Sequence, residues 1–306
     1  MISFIVIGRN EENNLSRCLN SIFDAISLIG ILDYEIIYVD SKSTDRSIDI
    51  AKEFDDVKIV SITGDCSAAI GRNVGGEVSK GEILFFIDAD MEISKEFLAS
   101  IIDRRGSMSY DFVSGQIIDI IDGNHTERFS NQFLGGIFLI RRKAWESVNG
   151  MRTKFKTGED IDLGLRLYKK GYPLVRKPDV ITNHYTIPYF DKRRIWKTVL
   201  DKSSFCSKSV LYRSHILNKQ MYQKLWMADK TFVVLLLIIA FVLILPTYCW
   251  ISLSIYLFVI IIRSLRQQNY FSILKFIGYF ITSDVLTSIY LFTYFPKNKI
   301  ESFKEI

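Results

Sequence analysis

The chain has 306 residues, 48% hydrophobic and 24% charged, with a formal net charge of +5; that length suits one α/β domain of about 200 residues plus an appendage. Charged and apolar residues are segregated, the apolar excess falling after Thr231, which excludes a plain soluble globule. Cys18, Cys66, Cys206 and Cys249 are far apart and form no C-x-x-C pair, which excludes a disulfide framework and a structural zinc site.

Met1-Ile2-Ser3-Phe4 runs straight into a strand-like segment, without the basic start and small-residue cleavage site of a secretory leader. The catalytic part is therefore expected on the cytoplasmic side. Ile2 to Ile7 is an apolar run; Asn13 is placed to cap a helix carrying Leu15, Leu19 and Ile22 on one face; Glu35 to Val39 is a second apolar run. The pattern continues with a helix near Asp45 to Phe54, a strand near Val57 to Ile62, a helix near Ala68 to Val78 and a strand at Ile83 to Ile87. Such alternation predicts an α/β fold with a mostly parallel sheet and helices on both faces. Ligands of such sheets bind beyond the carboxyl ends of the strands. Asp40 follows the second strand and Asp88-Ala89-Asp90 the fourth, so three carboxylates reach that edge. Asp also favours loops and caps for purely local reasons, so each alone says little.

Between Pro188 and Lys230 there are ten Lys or Arg against three Asp. A nucleic-acid patch is the competing reading. Because the stretch abuts an apolar block, a cytoplasmic flank attracted to anionic membrane lipid accounts for it better, and no nucleic-acid partner is expected. Thr231 to Ile262 carries no charge; as one helix it would be about 48 Å long, too long for a ~30 Å hydrocarbon core. Pro246 breaks it into a helical hairpin, residues 231–262, with each arm short for a full span. A third apolar segment, 271–295, is interrupted by Lys275 and Asp284. Basic residues flank these segments at Lys219, Lys224, Lys230, Arg263, Arg266, Lys297, Lys299 and Lys304. That bias predicts an even number of crossings, with the third segment not crossing fully.

A D-x-D triplet alone is weak, and the chain has two, Asp88-Ala89-Asp90 and Asp160-Ile161-Asp162. The first gains weight from the apolar strand Ile83-Leu84-Phe85-Phe86-Ile87 that delivers it to a sheet end. Two hard oxygen donors there suit Mg²⁺ or Mn²⁺ bridging a diphosphate. Four stretches in order then resemble a family 2 glycosyltransferase of the GT-A fold: Ile5 to Glu12; Val39 to Asp45; Gly71-Arg72-Asn73-Val74-Gly75 with Gly81-Glu82 ahead of Asp88-Ala89-Asp90; and Gly158 to Leu163 with Arg166-Leu167. The resemblance covers about residues 1 to 185. It implies a nucleoside diphosphate sugar as donor, with Asp40 recognising the base, Glu11 near the nucleoside, and Arg72 approaching base or phosphate. It further implies Asp88 near the ribose, Asp90 as the more direct metal ligand, Asp160 as the catalytic carboxylate, and His184 as a third metal or phosphate contact. Single displacement with inversion at the anomeric carbon follows from the same family.

The chemistry agrees with those roles. A divalent cation stabilises a diphosphate leaving group, and an attacking hydroxyl needs a carboxylate to accept its proton. Glu159 and Asp162 compete with Asp160 for that role, although helical spacing points Asp162 elsewhere. Gly135-Gly136 is read as the turn facing the acceptor, with Trp145 either contacting the acceptor or packing. Ile7 stands where many members have Pro, Lys42 replaces a usually small residue, and no Q-x-x-R-W element follows Glu159-Asp160; Arg193-Arg194-Ile195-Trp196 has the wrong spacing. The missing element argues against a processive synthase, and three or fewer spans could hardly enclose a channel.

The expected organisation is a GT-A domain at 1–187, basic amphipathic interfacial helices at 188–230, and a membrane region at 231–306. The expected activity is metal-dependent transfer of one sugar to a hydroxyl of a lipid-linked or cell-envelope glycan. The rivals are a polyprenyl-phosphate sugar synthase, whose acceptor is already ionised; a nucleotidyltransferase, whose Gly-rich loop Gly8-Arg9-Asn10-Glu11 does not resemble; and an inactive membrane scaffold.

Overall fold

The computed structural model describes residues 1–121, 123–127, 135–186, 203–266 and 273–306. The chain forms two compact units: Met1–Lys197 together with Lys297–Ile306, and Thr198–Pro296.

Strand β1 (Ile2–Gly8) is apolar on both faces because both are covered. Ile2, Phe4 and Val6 enter one core cluster, with Leu15, Leu19 and Ile22 of helix α1 (Leu15–Ile29). Ile5 and Ile7 enter the other, with Ile70 and Val74 of helix α3 (Ala68–Val78). This two-sided burial is the rule for parallel strands flanked by helices. The α3 packing is close: a Cβ at Gly75 would overlap the Ile5 side chain, so only glycine lets the helix approach β1 there. At the start of α1 the cap position is Asn14, not Asn13, and it makes no side-chain capping bond. Its amide donates to Glu11 Oε2 (2.8 Å) and its oxygen accepts from Arg17 (2.6 Å).

Strands β2 (Tyr34–Asp40), β3 (Val57–Ile62) and β4 (Ile83–Asp88) pair in parallel around β1, with the short helix α2 (Ser47–Ala51) between β2 and β3. β5 (Met91–Ile93) and α4 (Lys95–Ile101) follow, then β6 (Phe112–Ile121), β7 (Asn124–Glu127), β8 (Phe138–Arg141), α5 (Arg142–Ser147), α6 (Glu159–Lys169) and β9 (Val175–Tyr185). The sheet runs β10-β3-β2-β1-β4-β8-β6-β9-β5, where β10 is Phe303–Glu305. The mostly parallel arrangement expected from the alternating pattern holds for β3-β2-β1-β4. Beyond β4 the pairings are antiparallel except β6 with β9, giving a mixed sheet. There the chain no longer alternates strand and helix, so nothing imposes right-handed parallel crossovers.

The last ten residues differ from expectation: instead of belonging with 231–296, they fold onto the first unit. β10 pairs antiparallel with β3; Thr63 N–H donates to Ser302 O (2.8 Å), Asn73 donates to Glu301 Oε1 (2.6 Å), and Lys299 pairs with Asp65 (2.9 Å). The tail thereby covers what would otherwise be the bare edge of β3.

The second unit contains α7 (Ser203–Ser214), α8 (Lys219–Ala228), α9 (Lys230–Ile244), a 3₁₀ turn at Pro246–Tyr248, α10 (Cys249–Leu265) and α11 (Ile273–Thr293). Pro246 breaks the run as expected, and α9 and α10 form the hairpin. Two helical stretches are long and apolar enough to cross a membrane, Pro246–Leu265 and Ile273–Thr293. The third apolar segment thus meets the length criterion that α9 misses, since fifteen residues make only about 22 Å of helix. The hairpin has a polar base and an apolar tip. Asp229 accepts from Lys208 (2.8 Å), and Arg263 reaches Thr231. At the other end Leu243, Ile244 and Trp250 are about four-fifths exposed, at 80%, 76% and 79%. Residues 188–202 of the basic stretch, including Arg193 to Trp196, lie outside the described residues, as do 271 and 272.

Candidate active site

The site forms where β1, β2 and β4 end side by side. Asp40 lies opposite Gly8 and Asp88 opposite Ile7, so carboxylates from neighbouring strands flank the end of β1 at the interstrand spacing of about 5 Å. Asp40 is fully buried, and its carboxylate accepts from Ser43 N–H (3.0 Å) and Tyr38 OH (3.3 Å). It holds its own loop in shape, with Lys42 in the left-handed region at φ 61°. The β1 and β2 loops are then knitted together: Asn10 N–H donates to Ser43 Oγ (2.9 Å), Glu11 N–H to Ser47 Oγ (2.8 Å), and Thr44 N–H to Asn10 Oδ1 (2.8 Å). Two loops whose bonded residues are 33 to 36 positions apart thus form one rim. Glu11 stands on it, its carboxyl raised above the ordinary value chiefly by burial, with Asp90 and Asp88 adding repulsion against the Asn14 hydrogen bond.

Arg72, on α3, joins this rim to α6. Only 2% exposed, its guanidinium donates to Asp88 Oδ1 (2.6 Å) and Glu159 Oε1 (3.2 Å), and reaches the Gly136 carbonyl (3.4 Å). This bridge orients two acids from different elements. Burial pushes Asp88 up to about 6 and Glu159 up to about 7, with the neighbouring acids Asp90 and Asp160 adding to it and Arg72 opposing. Gly136 sits at φ 90° against Asp88, and a Cβ there would overlap Asp88 Oδ2. The Gly135-Gly136 turn therefore makes room for the first D-x-D acid.

The acidic first turn of α6 contains Glu159, Asp160 and Asp162, which complements the positive end of the helix dipole. Asp162 is fully buried between Arg166 (2.7 Å) and Arg152 (3.2 Å), so it is a structural anchor. Glu159 is taken by Arg72. Asp160 is half-buried and contacts the Ile161 N–H (2.8 Å), which leaves it as the acid of the three with carboxylate capacity for a substrate.

His184, near the end of β9, lies between Asp90 and Asp119: Nε2 is 3.1 Å from Asp90 Oδ2 and Nδ1 is 2.7 Å from Asp119 Oδ1. Asp90 Oδ1 is buried and, among the described residues, without a hydrogen-bond partner. A buried carboxylate oxygen with nothing to accept from is costly, and with an imidazole nitrogen beside it the donor set fits a divalent cation. Among the described residues no three His, Cys, Asp or Glu side chains gather as a closed cage. An open pair of ligands is how Mg²⁺-type ions bind when substrate phosphates complete the shell.

The structure thus gathers Glu11, Asp40, Arg72, Asp88, Asp90, Asp160 and His184 around one sheet edge. It adds Glu159 as the partner of Arg72, and Asp119, whose signal in the sequence was a lone acid inside the apolar strand Ile117-Ile118-Asp119-Ile120-Ile121. Trp145 is 5% exposed and packs on Phe86 at 4.7 Å between ring centroids, so packing accounts for it.

A model of Glycosyl transferase family 2 matches residues 3–172, and one of Glycosyl transferase family group 2 matches residues 128–265. Glycosyltransferase AglE of Haloferax volcanii is 26% identical over 208 residues, covering 61% of this chain and 68% of that protein. A dolichyl N-acetyl-alpha-D-glucosaminyl phosphate 3-beta-D-2,3-diacetamido-2,3-dideoxy-beta-D-glucuronosyltransferase of Methanococcus voltae is 26% identical over 217 residues, covering 60% and 67%. Mannosyltransferase PcManGT of Pyrobaculum calidifontis, solved with GDP-Man and Mn²⁺, superposes with a TM-score of 0.60 at 15% identity over 94% of this chain and 86% of that one. S. aureus TarS 1–349 superposes at 0.52 with 19% identity over 71% and 65%. At these identities the two structures establish the shared fold.

Proposed function

The chain belongs to glycosyl transferase family 2, and from that premise we propose that it transfers a single sugar, with inversion, from a nucleoside diphosphate sugar to a hydroxyl of a lipid-linked or cell-envelope glycan. The observation that carries the reading is the Arg72 bridge: one buried guanidinium ties the D-x-D acid Asp88 to Glu159, the neighbour of Asp160, so nucleotide-binding and proton-accepting acids share a single mount.

Asp90 and His184 would hold the divalent cation, Mg²⁺ or Mn²⁺, which when bound supplies Lewis-acid stabilisation of the departing diphosphate. The rim of loops 9–12 and 41–47 receives the nucleoside, with Asp40 bracing that rim and Glu11 beside it. Asp160 accepts the proton of the attacking hydroxyl. Glu159 and Arg72 keep Asp160 placed, and Asp162 locks the turn beneath it through Arg166 and Arg152. Because acceptor and leaving group must lie on opposite faces of the anomeric carbon for one displacement, the product is inverted.

A lipid-linked acceptor is favoured by the name of the Methanococcus relative, and by the second unit. We assign that unit to the membrane, with the α9–α10 hairpin inserting apolar tip first and its polar base at the interface. The tail supports one further point. Residues before 198 and after 296 belong to the same compact unit, which supports an even number of crossings by the intervening segment. The side on which it enters and leaves is the cytoplasmic one by the positive flanks Lys219, Lys224, Lys230, Arg263 and Arg266.

A second reading is favoured by another relative, 25% identical over 181 residues, an undecaprenyl-phosphate 4-deoxy-4-formamido-L-arabinose transferase of Edwardsiella ictaluri: the acceptor would be a polyprenyl phosphate. The test is nucleotide release from a panel of UDP and GDP sugars by the detergent-extracted protein, with a lipid-linked saccharide or polyprenyl phosphate as acceptor, repeated with Asp160→Asn. A hydroxyl acceptor predicts a loss of about 10²–10⁴-fold in that variant with nucleotide binding retained. Turnover of polyprenyl phosphate that survives the substitution would select the second reading, and absence of release with every donor would overturn both.

A further inference from the structure

We infer that Asp119 is a positioning residue that holds His184 by its Nδ1 edge and so presents Nε2 on the side of Asp90; the inference rests on the reading of Asp90 and His184 as cation ligands. Strands β6 and β9 run parallel in a register that puts Asp119 directly beside His184. The backbone therefore builds the pair, and no side-chain search is needed to form it. The contact is short, 2.7 Å from Nδ1 to Asp119 Oδ1, with His184 9% and Asp119 17% exposed.

A ring that holds a cation through Nε2 keeps its hydrogen on Nδ1, and an ionised carboxylate only accepts hydrogen bonds, so Asp119 Oδ1 suits the cation-binding form of His184. Nε2 faces Asp90 Oδ2 at 3.1 Å, next to the buried Asp90 Oδ1 that has no hydrogen-bond partner among the described residues. In a carboxylate–imidazole–cation arrangement the carboxylate fixes the ring's orientation and raises its basicity. No motif of the first unit contains Asp119; its place comes from strand register alone.

The experiment uses the full chain in detergent with Mn²⁺ as probe, in the presence of UDP and, separately, GDP. Mn²⁺ affinity is measured by calorimetry, and directly bound imidazole nitrogen by its hyperfine coupling to Mn²⁺ in pulsed electron paramagnetic resonance. Asp119→Ala is expected to weaken Mn²⁺ about 10–100-fold and to diminish the nitrogen coupling. Asp119→Asn, which keeps the shape and can still accept from Nδ1, is expected to fall between Ala and wild type. Thermal unfolding of both variants is followed in parallel, and the isosteric Asn variant decides the matter where Ala lowers the melting temperature. Wild-type affinity and coupling retained in both variants would overturn the role of Asp119 while leaving the metal reading intact. A wild-type protein that binds no Mn²⁺ with either nucleotide would overturn both.

Discussion

Asp160 and Asp162 are two residues apart, and the opposite jobs proposed for them are separated by a paired substitution. Asp162 is fully buried with one oxygen 2.7 Å from Arg166 Nε and the other 3.2 Å from Arg152 Nη1. Arg166 is only 11% exposed and also donates to the carbonyls of Val148 (2.7 Å) and Gly150 (2.8 Å). Removing the carboxylate leaves that guanidinium buried without a counter-charge, a situation that costs about 3–5 kcal/mol. Asn keeps one acceptor, and the two carbonyls remain, so Asp162→Asn is expected near the lower end, about 3 kcal/mol. In a unit of about 200 residues that corresponds to a melting temperature lower by roughly 6–12 °C. Asp160→Asn removes no buried pair and is expected to melt within a degree or two of wild type while losing about 10²–10⁴-fold in turnover of a hydroxyl acceptor. Differential scanning fluorimetry in detergent and a nucleotide-release assay read the two quantities independently. Unchanged melting with lost turnover in Asp162→Asn, together with active Asp160→Asn, would reverse the assignment.

Glu159 holds its proton up to about pH 7 in the folded state against an ordinary value of 4.5, so its contribution to stability is full below about pH 4.5 and is lost as the pH rises through 7. Glu159→Gln should therefore gain on wild type in melting temperature between pH 5 and 8, and a gap that shrinks with rising pH would contradict the burial argument. Gly136→Ala should displace Asp88 and weaken UDP or GDP binding at least tenfold, measured by calorimetry; unaltered binding would show that Asp88 does not need the space. Deleting residues 297–306 unpairs β10 from β3 and removes the Glu301–Asn73 and Lys299–Asp65 contacts, so a lower melting temperature is expected, and an unshifted one would mean that the tail does not hold the sheet edge. For the hairpin, acyl-chain-brominated lipids should quench Trp250 in reconstituted vesicles, seen as a smaller quenched fraction in Trp250→Phe; equal quenching in the two would place the tip outside the hydrocarbon.

The parallel half of the fold was legible because each strand from β1 to β4 is a short apolar run and each helix between them has a single apolar stripe, patterns that local periodicity records directly. The acids at the ends of β2 and β4 and the first turn of α6 could be named for the same reason: they lie next to elements whose ends the pattern marks. Asp119 could not be assigned a role and Glu159 only that of a rival to Asp160, since one depends on the register between β6 and β9 and the other on a guanidinium 87 residues away. The return of residues 297–306 to β3 was likewise invisible, because Phe303 to Glu305 are too few to carry a period and acquire strand geometry only from the edge they meet. Sequence fixes which residues can be inside an element and which chemistry they carry. Long-range register and burial decide which of them face one another, because those contacts depend on loop closure and packing that no local window contains.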